Sequence, residues 1–156
     1  LVGSTERKSW PASPEITPAH LEAAQREHGA FKPGDIVLFH TGHLDRHLRP
    51  APQDSGVWAD PLLGKSEGWP APGPAAIQYL SKKGIRCVAT DAPDLGGVDP
   101  RRAMMTYWAL GSRDMVGVEF LHNVGGIPAK SDPSFLFATP KVRDGHGGPG
   151  RAIVLY

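Results

Sequence analysis

The chain has 156 residues, enough for one domain with a core of its own. Its 17 basic residues meet 16 acidic ones, so nothing electrostatic argues for a nucleic-acid or membrane partner. A single cysteine, Cys87, excludes an internal disulfide framework. Its apolar neighbours make it a small core residue rather than a nucleophile.

No run approaches the roughly 18 apolar residues of a membrane-spanning helix. Residues 1–14 are too polar for a signal peptide, so a cytoplasmic location is expected. The start at Leu1 rather than Met suggests a cleaved product, a processed subunit or a truncated chain.

Residues 1–15 are expected to be extended, with Trp10 as a candidate anchor. A single α/β domain is expected over residues 16–156. Thr17 as N-cap, Pro18 in the first turn and Gly29 at the stop predict a helix over 18–28. Lys32-Pro-Gly-Asp35 is a turn, and the β-formers at 36–39 predict a buried strand. Residues 43–72 are rich in Pro and Gly and hold Trp58 and Trp69. They predict a long loop, and a loop of that length tends to be functional.

A helix is expected from Gly73-Pro74 to Lys82-Lys83, stopped by Gly84. A strand follows at 85–90. Asp99-Pro100 opens another helix, with Ala103, Met104, Tyr107 and Trp108 on one face. Further strands are expected at 115–121, from Phe135 onward, and at 151–156.

Three polar features compete for a role. His40, His43, Asp45 and His47 could hold a divalent metal through imidazole and carboxylate. Their spacing fits no established metal motif, so a solvated strand end or substrate-facing loop is the better reading. Residues 145–150 lack the Lys and Ser/Thr of a phosphate loop and precede a strand, so they read as a turn. Glu119 stands within an apolar run, Met115 to Leu121. A carboxylate there faces solvent or is paired, hydrogen-bonded or metal-bound. His122 lies three residues on, which on a regular strand is the opposite face.

Four segments resemble the cyclase family of metal-dependent hydrolases, kynurenine formamidase-like and isatin hydrolase-like. They are Lys32-Pro-Gly-Asp-Ile-Val-Leu-Phe-His-Thr-Gly42, the unit from Gly73 to Asp91, Val118-Glu-Phe-Leu-His-Asn-Val124, and the close from Gly147 to Leu155. Their order and spacing agree with the family's C-terminal portion. The resemblance implies a mixed α/β fold with a β-barrel-like core and flanking helices, only part of which lies in this chain. It implies a divalent metal, zinc or manganese, and hydrolysis of an amide, formamide, cyclic amide or lactone in a small molecule.

By the same resemblance Glu119 is a metal ligand. Tyr107, His122, Asp91, Trp58 and Trp69 are candidates to line the site. The family's His-rich signature and its catalytic His have no counterpart in this chain, so the catalytic residue is unknown. Tyr107 stands where the family places a further His ligand. Three explanations follow. A second chain or homo-oligomer completes the site; or the chain is a fragment; or it is a non-catalytic relative, a subunit or ligand-binding module without the metal.

Overall fold

The computed structural model describes residues 12–53, 56–128 and 132–156. Trp10 and most of the expected extended segment lie outside them. The described chain forms two compact units, one ending at His122 and one running from Asn123 to Tyr156.

In the first unit, β1 (Glu15–Ile16) precedes α1 (Pro18–His28). The N-cap Thr17 donates its N–H to His20 Nδ1 at 2.9 Å, and Pro18 occupies the first turn, where a missing N–H costs nothing. Gly29 ends the helix with φ of 101°, a conformation that suits glycine. Then come β2 (Ile36–Phe39), α2 (His43–His47), α3 (Ala59–Leu62) and β3 (Ala71–Pro72). The expected long loop over 43–72 therefore contains two short helices and a two-residue strand. The strand β3 pairs in parallel with β1.

The rest of the unit is α4 (Pro74–Lys82), β4 (Cys87–Thr90), α5 (Pro100–Gly111) and β5 (Val116–Val118). Asp99 caps α5 by accepting the Arg102 N–H at 2.7 Å. The two expected strands at 85–90 and 115–121 are shorter than their apolar runs. Apolar patterning marks burial, and burial continues past the end of a ladder.

The strands β2, β4 and β5 form a parallel sheet with β4 in the centre. Parallel neighbours need crossovers, and α4 and α5 lead into β4 and β5. The central strand is the most buried, as expected of a parallel sheet covered by helices. Ala76, Ile77 and Leu80 of α4 join Leu21, Val37, Phe39, Ile85, Val88, Ala109 and Leu110 in one core. Gln25 of α1 ties that helix to α4 by donating to the Tyr79 hydroxyl at 2.7 Å.

The second unit holds a short 3-10 turn (Val124–Gly126) and an antiparallel pair, β6 (Ser134–Ala138) with β7 (Arg151–Leu155). The mixed α/β class read from the sequence is the one observed. Among the described residues the strands lie in three small sheets.

Leu80 is fully buried in α4. Leu80→Ala is expected to cost about 2–5 kcal/mol through lost burial and a residual cavity. Urea unfolding would show a lower midpoint with an unchanged slope.

Candidate functional site

The polar groups gather where the parallel strands end. Open α/β sheets commonly bind ligands beyond the carboxyl ends of their strands. His40 follows β2, Asp91 follows β4 and Glu119 follows β5.

Asp91 is buried. Its Oδ1 accepts the Thr41 N–H and the Thr41 hydroxyl, each at 2.7 Å, and its Oδ2 accepts the Gly42 N–H at 2.6 Å. Gly42 has φ of 67°, and that left-handed turn brings its N–H toward the carboxylate. Asp91 thus binds the end of β4 to the turn after β2. His43, also buried, donates from Nε2 to the Val57 carbonyl at 2.9 Å and lies 4.6 Å from the His47 ring. Burial lowers the pKa of His43, with His47 and Arg46 acting in the same direction.

Glu119 comes one residue after β5. Phe120 has φ of 58°, an uncommon conformation for a bulky residue. The backbone stays anchored there, since Phe120 N–H donates to Ala92 O at 3.0 Å and Leu121 N–H to Thr90 O at 3.1 Å. The half-buried Glu119 accepts two hydrogen bonds on Oε1. One comes from the Tyr107 hydroxyl on α5 and one from the Leu95 N–H at 3.1 Å. Oε2 accepts none among the described residues.

Burial raises the Glu119 pKa, and the charge of Asp94 adds to it, while the Tyr107 and Leu95 bonds oppose it. Burial, and then the bond to Glu119, push the Tyr107 hydroxyl far above its ordinary value. Tyr107 is therefore a neutral donor at physiological pH.

The remaining candidates divide clearly. Trp69 is fully buried and donates its indole N–H to Asp94 Oδ1 at 3.0 Å. The same oxygen accepts the Gly96 and Gly97 N–H groups at 2.7 Å. Trp69 thus helps to shape the 94–97 turn that presents the Leu95 N–H. Trp58 is exposed and meets Phe120 edge to face, with ring centroids 6.3 Å apart. His122 is exposed and makes no hydrogen bond to Glu119 among the described residues.

Asp94, Leu95 and Phe120 were not singled out from the sequence. Asp94 before Gly96-Gly97 is a turn signal that could have been read. The Leu95 contribution is a backbone N–H, which no residue pattern marks.

A divalent ion at Glu119 would find one unencumbered oxygen. Among the described residues Glu119 belongs to no group of three His, Cys, Asp or Glu side chains able to share an ion. The described residues would therefore offer such an ion one ligand at Glu119, not a complete cage. Among the described residues such a group of three lies elsewhere, at His40, Asp45 and Asp91.

The family model described as "putative cyclase" matches residues 3–96. The chain belongs to the cyclase family. It is 33% identical over 146 residues to the isatin hydrolase of Roseibium aggregatum, an alignment spanning 90% of this chain and 52% of that relative. The solved structure of an isatin hydrolase bound to the product analogue thioisatinate superposes with a TM-score of 0.70. It is 24% identical, over 92% of this chain and 53% of that one. Isatin hydrolase A from Ralstonia solanacearum gives 0.68 at 21% identity, over 95% and 54%. The structure of a potential metal-dependent hydrolase with cyclase activity gives 0.61 at 19% identity, over 91% and 58%. This cyclase-family chain thus spans about half the length of the relatives it matches.

The raised Glu119 pKa has a consequence for stability. Folding favours the neutral carboxyl, so its contribution is full below the ordinary value of about 4.5 and is lost as pH rises through the folded value. Glu119→Gln keeps an acceptor for Tyr107 and Leu95 and abolishes ionisation. The variant is expected to match the wild type near pH 4 and to exceed it in stability near pH 7. Urea midpoints at the two pH values check this.

Proposed function

We propose that this chain is the C-terminal portion of a metal-dependent hydrolase that opens an amide, formamide, cyclic amide or lactone bond. Glu119 is one ligand of a zinc or manganese ion. The remaining ligands and the catalytic base come from a segment or second chain outside this sequence. The observation that carries the reading is the setting of Glu119: held through one oxygen and open at the other, past the end of a parallel strand. Similarity to an isatin hydrolase, and the half-length match to it, support the reaction class and the need for further chain.

When bound, such an ion lowers the pKa of a coordinated water and polarises the scissile carbonyl. The chain's own contribution is positional. Tyr107 and Leu95 fix the Glu119 carboxylate through Oε1, and Oε2 accepts no hydrogen bond among the described residues. Trp58 and Phe120 offer an aromatic surface next to it, suited to a flat cyclic substrate. Met104 and Trp108 on α5, with Val116 on β5, leave apolar surface exposed that a second chain or further segment would cover.

A second reading is a non-catalytic cyclase-like subunit or ligand-binding module. The neutral Tyr107 hydroxyl beside Glu119, in place of another ligand, favours it.

Purification from the native cell, mass spectrometry and an absorbance assay of isatin ring opening separate the two. The hydrolase reading expects a co-purifying polypeptide or an oligomer, and turnover with zinc or manganese. Glu119→Gln should cut that turnover by about 100-fold or more. A monomer that leaves isatin and aryl formamides intact with either metal overturns it.

A further inference from the structure

His40, Asp45 and Asp91 form a cluster that the Glu119 site does not use. Their ligand atoms all lie within 4.8 Å of one another. His40 Nε2 is 3.7 Å from Asp45 Oδ2. Three separate elements of the backbone bring them together: the residue after β2, the α2 helix and the residue after β4.

Asp91 is 1% exposed, yet its three hydrogen-bond donors are all neutral. Among the described residues no cationic side chain pairs with it. Neutral donors orient a buried carboxylate but leave its charge in place. His40 and Asp45 side chains are 41% and 46% exposed, so the cluster is open on one side to solvent.

We propose that His40, Asp45 and Asp91 form a divalent-cation site that ties the α2 segment to the ends of β2 and β4. One imidazole nitrogen and two carboxylate oxygens suit zinc or manganese better than calcium or magnesium, which favour all-oxygen shells. The two carboxylates balance the charge of the ion. Thr41 and Gly42 hold Asp91 as outer-shell donors hold a ligand. Metal–ligand distances of about 2.0–2.2 Å require the cluster to contract. His40 and Asp45 have the freedom to move inward, whereas Asp91 does not. Arg46 lies on the same helix and approaches Gly42, so its charge opposes the ion.

The test is titration of the metal-stripped protein with zinc and with manganese, followed by calorimetry and by thermal unfolding. The expected result is one binding event per chain that raises the unfolding temperature. His40→Ala and Asp45→Asn should each weaken it by about 10-fold or more, and Glu119→Gln should leave it unchanged. Both substituted side chains are partly exposed, so folding of these variants is expected and is checked by circular dichroism. Binding equal to wild type in both variants overturns the site. So does binding lost only in Glu119→Gln, which would locate the ion at Glu119 and leave the hydrolase reading standing. Absence of any binding up to millimolar metal also overturns it.

Discussion

The carboxylate of Asp91 joins the end of β4 to the turn after β2, and both polar clusters depend on that junction. Three short hydrogen bonds from Thr41 and Gly42 hold it. Without them two backbone N–H groups and a hydroxyl would be buried without partners, at a cost of about 1–3 kcal/mol each. With the strand ends held, the chain after β4 turns through Asp94 and Leu95. That turn supplies the N–H that meets Glu119. One buried acidic group thus supports His40 and Asp45 on one side and the setting of Glu119 on the other.

The Glu119 site shows how a carboxyl group is made available at some cost to the fold. Burial disfavours its charge, while the phenol of Tyr107 and the N–H of Leu95 favour it. Both donors act on the same oxygen. The arrangement gives a carboxylate that is fixed in orientation yet retains capacity for another partner. A positive φ at Phe120 turns the chain immediately after it.

The second unit is a two-stranded hairpin that is apolar on both faces. Leu136, Ile153 and Leu155 are exposed on one face, and Phe135, Phe137 and Val154 are half-buried on the other. An isolated pair of strands is marginal in water.

Local signals in the sequence determined much of the fold. Thr17-Pro18, Gly73-Pro74 and Asp99-Pro100 marked the three long helices, because caps and first-turn prolines act within a few residues. Apolar runs located β2, β4 and β5, and the motif order pointed to the cyclase family. The sequence also singled out Glu119, since a carboxylate among Val118, Phe120 and Leu121 either faces solvent or takes a partner. Only the tertiary structure decided what those partners are. Tyr107, Leu95 and Glu119 meet across α5, the turn after β4 and the end of β5. Likewise, the fold buries Trp69 against Asp94 and brings His40 to Asp91 across 51 residues. Such contacts arise from the packing of distant elements, and local residue patterns carry no record of which strand ends lie side by side.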